Sequence, residues 1–270
     1  MKLLTRDQAP SHLTASEPYI LTGYRPKLTL IGCLRSIFSV HNETFNIWSH
    51  LVGALYMAHL TQKRWYSKST AHSGLRRFPP LLTSTVGGLL FTASATAHCC
   101  CAHGKKTCQI CFAVDKSFIS YYMCSCALAS SIVFFRRPTQ LLTKLIFMVL
   151  SISASTVGAL QTSGVFGETS KLFKVLTLSS LAGLGLMPPI MEYILTRRKD
   201  VRVLIKERAS LACLVALVGA FFYAKQFPEK KYPKTFDVIG QSHGIMHVMV
   251  VYCVHVVFHG FSDVSSKVLR

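Results

Sequence analysis

Acidic residues are scarce in this chain. Its 270 residues hold 11 Asp and Glu against 30 Lys and Arg, a formal net charge of +19. Charge of either sign is thin: 15% of residues are charged, where a soluble domain carries about a quarter. A soluble globular protein is therefore not expected. The excess of base would suit nucleic acid, but a long basic stripe is missing. The Lys and Arg residues fall in short clusters between apolar runs, as in loops that face anionic lipid. Nucleic acid is not expected as a partner. Residues 1–38 lack an apolar core, so no secretory signal peptide is expected and the first membrane helix must direct insertion. The sequence shows no internal repeat and no separable soluble domain. The ten cysteines do not form an obvious disulfide framework. Cys99, Cys100, Cys101, Cys108 and Cys111 crowd one short region, which is easiest to tolerate where thiols stay reduced. That reasoning puts residues 99–111 in the cytosol.

What the chain does have is apolar length. Half of its residues are hydrophobic, and the mean hydropathy is +0.38. A spanning helix needs about 20 mainly apolar residues. Candidate segments lie near 45–62, 79–100, 113–135, 139–162, 172–196, 208–226 and 238–260. The expected fold is all-α, a seven-transmembrane helix bundle with an intramembrane zinc site. Residues 1–44 form an N-terminal cytosolic segment, 45–262 the membrane domain, and 263–270 a short tail. Leu28–Val40 reads as a short amphipathic helix before the membrane, and Met187-Pro188-Pro189 as a kink. Small residues such as Ser151, Ser155, Gly158, Gly183 and Gly185 suit close helix packing in lipid. Basic clusters at 63–77 and 197–208 would put those loops inside by the positive-inside rule, but the bases of the N-terminal segment and of the 225–234 loop nearly cancel them. The cysteine argument favours an inside N-terminus.

Three histidines carry the chemistry. His243 and His247 sit four residues apart in Q-S-H-G-I-M-H, and on a helix that spacing puts both imidazoles on one face. With seven spans, the end of the second and the starts of the third and seventh all face the side that holds the N-terminus. His98, Asp115 and the His243–His247 pair then share one depth. Three imidazoles plus one open position match a catalytic zinc site, where a bound water has a pKa of about 7. Asp115 is the candidate to deprotonate or orient that water. Ser94, one turn before His98, is the candidate hydroxyl for the water or a substrate oxygen. Other readings stand beside this one. A lone membrane histidine commonly hydrogen-bonds a neighbouring helix, as for His50, His59, His255 or His259, and Asp115 can cap a helix or pair with Lys116. Cys108-Gln109-Ile110-Cys111 has zinc-knuckle spacing, with His103 or Cys101 to complete it. Reduced thiols or palmitoylation sites explain the same cysteines.

The chain also resembles the progestin and adipoQ receptor family, which includes adiponectin receptors, membrane progestin receptors and haemolysin III-type proteins. The resemblance rests on S-I-F-S-V-H-N-E-T-F-N-I-W-S-H (36–50), S-A-T-A-H (94–98), the Asp of F-A-V-D-K-S (112–117), Y-A-K-Q-F-P-E-K-K-Y-P-K-T-F-D (223–237) and Q-S-H-G-I-M-H-V-M-V-V (241–251). It implies seven helices, a cytosolic N-terminus and a zinc ion near the cytosolic face. His98, His243 and His247 would be its ligands, with Ser94 and Asp115 beside the metal. The inside N-terminus that it implies leaves the 63–77 and 197–208 loops outside, against positive-inside counting. In the H-N-E-T stretch, His41, Glu43 and Asn46 would cap the first membrane helix and pin the N-terminal segment. The chain departs from the family pattern where Lys116-Ser117 follows Asp115, and in the cysteines of 99–111. The family resembles alkaline ceramidases in its metal ligands. That implies a membrane receptor with ceramidase-like amide hydrolysis, taking a ceramide-like lipid and releasing a free fatty acid. Two alternatives are a receptor for a protein or steroid hormone with a purely structural zinc, and a non-catalytic lipid-homeostasis protein. The membrane is plasma or internal.

Overall fold

A computed structural model describes residues 1–15, 17–66, 74–164 and 171–269. Among the described residues there is no β-strand, only an isolated antiparallel bridge between Leu4 and Tyr24. The regular structure is helical: α1 (Ser11–Thr14), α2 (Leu30–Ser36), α3 (Thr44–Trp65), α4 (Gly74–Cys100), α5 (Lys105–Phe134), α6 (Leu141–Ser163), α7 (Lys171–Leu195), α8 (Lys199–Lys225) and α9 (Ser242–Val268). The seven long helices coincide with the seven apolar segments. Five regions, Gly74–His103, Lys105–Phe134, Pro138–Ser163, Leu176–Leu195 and Ser242–Val268, are long and apolar enough to cross a membrane. The helices α3 and α8 are as long but more polar. The first half of α8 holds Lys199, Asp200, Arg202, Lys206, Glu207 and Arg208, and α3 interrupts its apolar run with Asn46, His50 and His59.

Some boundaries differ from the sequence expectation. The short pre-membrane helix shrinks to Leu30–Ser36, where the Thr29 side chain accepts the Gly32 N–H as an N-cap. Residues 99–111 are mostly helix, because α4 runs to Cys100, a 3-10 turn covers Cys101–His103, and α5 starts at Lys105. Asp115 is therefore nearly three turns into its helix. Polar residues at the α5 start hide the helix from a hydropathy reading, since Lys105 and Lys106 are exposed there. The helix α7 continues through Pro188 and Pro189.

The contacts divide the chain into two units. The first comprises 1–54, 91–115 and 214–252, and the second 55–90, 116–213 and 253–270. Within the second unit, α9 ends against three arginines. Arg198 donates to the Lys267 carbonyl at 3.0 Å, Arg136 to Val268 at 2.8 Å and Arg76 to Leu269 at 2.6 Å. Those carbonyls lack helical partners and carry the negative end of the helix dipole, so cations belong there. An apolar cluster of Val133, Phe134, Val201, Ile205, Val264 and Val268 packs the same end.

The first unit uses the same device on α4. Arg25 is 1% exposed and donates to the carbonyls of His98 at 2.6 Å and Cys99 at 2.9 Å, and to Ser36 Oγ at 2.8 Å. Asp237 holds the same N-terminal segment by accepting the Leu21 N–H, the Thr22 N–H and the Thr22 hydroxyl. The turn before α3 is organised by His41. Its Nε2 donates to the Ser36 carbonyl at 3.0 Å and its Nδ1 accepts the Glu43 N–H at 3.1 Å, so the ring is neutral. Burial, reinforced by the Arg25 charge, pushes the His41 pKa down from 6.5 to about 4. Above pH 6.5 the ring is neutral whether folded or unfolded. Between pH 6.5 and 4 the unfolded chain takes up the proton first, so stability falls with pH, by on the order of 3 kcal/mol when the folded value is passed. Thermal unfolding followed from pH 7.5 to 4.5 should show a shallower decline for His41→Gln than for the wild type. Parallel declines would contradict this role.

Candidate metal centre

The centre lies in the first unit, where α4 ends and α9 begins. His98 sits in the last turn of α4, behind which Arg25 fixes the backbone. His243 and His247 occupy the first two turns of α9. Glycine lets α9 approach α3: a Cβ on Gly244 would collide with the Phe45 ring, and one on Gly53 would meet Val251 at 2.7 Å. The three imidazoles converge. Ring centroids are 5.0 Å apart for His98–His243, 5.0 Å for His98–His247 and 4.7 Å for His243–His247. One potential ligand atom from each lies within 4.8 Å of the others.

Each ring has its Nδ1 engaged by an acceptor. His98 Nδ1 lies 2.7 Å from Glu43 Oε2. His243 Nδ1 lies 2.7 Å from Glu17 Oε1. His247 Nδ1 lies 3.3 Å from the Asn46 carbonyl and 3.3 Å from Ser49 Oγ. A carboxylate or carbonyl at Nδ1 fixes the proton there and leaves the Nε2 lone pair for a metal, as in carboxylate–histidine–zinc triads. His98 Nε2 is buried with no hydrogen-bond partner among the described residues. A buried, unpaired nitrogen facing two more imidazoles is costly unless something coordinates it. The donor set of three nitrogens fits zinc.

The surroundings hold the rings rigid. His50 stacks on His247 at 3.7 Å between centroids and 9° between planes. Phe112 meets His98 edge-on at 5.0 Å, and Tyr223 meets His243 at 5.2 Å. Glu43 is also tied to Asn46 Nδ2 at 2.8 Å. Burial opposes the Glu43 charge, but His98, Asn46 and Arg25 together hold its carboxyl well below the usual carboxylate range. Removing that charge in Glu43→Gln should weaken metal binding by about 10–100-fold, the usual loss for an orienting carboxylate. Competition against a metallochromic chelator measures it, and unchanged affinity would show that Glu43 does not orient His98.

The five sequence candidates fare differently. His98, His243 and His247 come together. Ser94 is buried on α4 one turn before His98. Asp115 is half-buried on α5, in the same compact unit as the three histidines. The alternative cysteine knuckle does not assemble, since among the described residues the three histidines are the one group able to hold a metal. None of the ten cysteines forms a disulfide.

The residues missed from sequence are the ones behind the ligands. Glu17 and Asn46 are both buried. Glu17 had no local signal, lying in a polar segment more than 200 residues from its histidine. Glu43 and Asn46 were visible only as capping candidates. Scarcity was the available clue: with 11 acids in the chain, each buried one has a partner to explain it.

Comparison with known proteins places the chain among its relatives. The chain is 26% identical over 259 residues to heptahelical transmembrane protein 1 of Arabidopsis thaliana, covering 93% of this chain and 77% of that protein. It is 25% identical over 264 residues to human progestin and adipoQ receptor family member 3, covering 93% and 82%. It is 26% identical over 265 residues to the Drosophila melanogaster adiponectin receptor protein, covering 92% and 56%. Residues 38–258, from just before the His41 turn to beyond His247, match the haemolysin-III-related family, and this membrane protein belongs to that family.

Proposed function

We propose that this chain is a seven-span membrane protein that binds zinc through His98, His243 and His247 and hydrolyses the amide bond of a ceramide-like lipid. The observation that carries the proposal is the buried triad of imidazoles, each with Nδ1 satisfied; Asp115 and Ser94 are the residues to which the reading gives the chemistry beside it. A bound zinc ion supplies Lewis acidity and acidifies a coordinated water to a pKa of about 7.

The protein groups act around that chemistry. Asp115 accepts the proton of the attacking water and later returns it to the leaving amine. The Ser94 hydroxyl donates to the carbonyl oxygen as negative charge develops there. Glu43, Glu17 and the Asn46 carbonyl keep the three rings in one tautomer. Apolar helix faces take the acyl chain and keep bulk water from the site. The products are a free fatty acid and a sphingoid base. On this reading the N-terminus is cytosolic, with the site near the cytosolic face of a plasma or internal membrane.

The names of the relatives favour a second reading. Two of those compared carry receptor names, which fits a receptor for a protein or steroid hormone whose zinc only braces α4 against α9. A non-catalytic role in lipid homeostasis makes the same structural use of the metal. Fatty-acid release from ceramide by the purified protein separates these readings from the hydrolase, because a bracing metal gives no turnover.

A further inference from the structure

The first part of the segment between α8 and α9 is anchored by Glu229 and presents its bases outward. Glu229 is 1% exposed. It accepts the Ser242 N–H at 2.8 Å and also the Ser242 hydroxyl, which ties residues 227–231 to the start of α9. Lys230 and Lys231 follow this anchor directly and are exposed, as is Lys225 at the end of α8. The Lys230 ammonium lies 5.6 Å from the centroid of the Tyr19 ring. Together with Phe221 and Phe227, the three lysines line an open groove of about 630 Å³, and no acidic side chain lines it.

An apolar track leads into the groove. Leu214, Leu217 and Phe221 are 59%, 68% and 56% exposed. They are spaced i, i+3 and i+7 on α8, so they share one face, and Lys225 continues that face one turn later. Exposed leucines on a membrane protein are covered by lipid, and exposed lysines are ordinarily covered by water. Here the apolar run stops one turn before the first lysine, so a single amphiphile satisfies both.

We infer that this groove binds an anionic phospholipid, its acyl chain along Leu214, Leu217 and Phe221 and its phosphate among Lys225, Lys230 and Lys231. Lysine serves phosphate as a point charge with rotatable donors. The Glu229 anchor orders the loop in advance, which lowers the cost of binding. A zwitterionic lipid carries its own ammonium and gains less from the lysines. A soluble phosphate leaves the phenylalanines uncovered, and an acidic protein segment has no acyl chain for the track.

Native mass spectrometry of the full-length protein in detergent tests the inference, with dioleoyl phosphatidylglycerol, dioleoyl phosphatidylcholine and inorganic phosphate as probes. The expected result is tighter binding of phosphatidylglycerol than of phosphatidylcholine, with no displacement by millimolar phosphate. A lysine beside an anionic headgroup is worth about fivefold in affinity. Lys225→Gln/Lys230→Gln/Lys231→Gln should therefore lower phosphatidylglycerol binding by at least about tenfold, while the corresponding arginine variant retains it. Equal binding of the two lipids, an unchanged glutamine variant, or displacement by phosphate alone would each overturn the inference. None of these readouts depends on zinc or on amide hydrolysis.

Discussion

His98→Ala should empty the metal centre. It removes the ligand contributed by α4 and leaves two imidazoles on α9, short of the three protein nitrogens that a zinc site with one open position uses. The expected loss exceeds the roughly 100-fold seen when only an orienting partner is removed. Zinc per purified chain should fall from about one to below about a tenth. The same change takes one partner from Glu43, whose carboxylate faces His98 at 2.7 Å and keeps only the Asn46 amide and the Arg25 charge, and a mostly buried charge that loses a partner is destabilising. The variant should therefore unfold at lower temperature even before the metal is counted. Zinc is measured on the monodisperse fraction, so that misfolded protein does not mimic a lost ligand. Retention of stoichiometric zinc by a folded His98→Ala protein would rule out the three-histidine centre.

Asp115→Asn is the complementary experiment, since it alters the chemistry and spares the ligands. The side chain keeps its size and loses its ability to accept a proton at neutral pH. Asp115 lies on α5, outside the ligand set, so zinc content should stay at the wild-type level. Fatty-acid release should fall by about 10²–10⁴-fold, the usual contribution of a positioned general base. If zinc is retained and release matches the wild type, Asp115 is not the base and the mechanism is wrong as written. If zinc is lost as well, Asp115 supports the site, and its role is closer to that of Glu17 and Glu43.

The parts of this site legible from sequence are those governed by short spacing and segment order. The His243–His247 pair is fixed by helix geometry, and His98 follows from where the second apolar segment ends. The seven long helices follow from hydropathy, although α5 extends eight residues beyond the apolar boundary because amphipathic turns do not look apolar. The orienting residues were not legible, because a buried carboxylate leaves no periodic trace. Glu17 reaches His243 across 226 positions, and only the folded N-terminal segment, pinned by Arg25 and Asp237, brings the two together. His50 shows the same limit. It reads as an isolated membrane histidine, yet it stacks on His247, because Gly53 and Gly244 allow α3 and α9 to close. The cysteines of 99–111 suggested a knuckle through their spacing, but α5 holds Cys108 and Cys111 in a helix, and no metal-holding group forms there among the described residues.

The most direct test of the account joins metal analysis of the purified wild-type protein to fatty-acid release from ceramide before and after chelation. The account predicts about one zinc per chain, release of fatty acid that chelation abolishes, and recovery when zinc is restored. Stoichiometric zinc without release would contradict the hydrolase and leave a bracing metal in a receptor. Release that survives complete removal of zinc would contradict the metal centre as the seat of the chemistry.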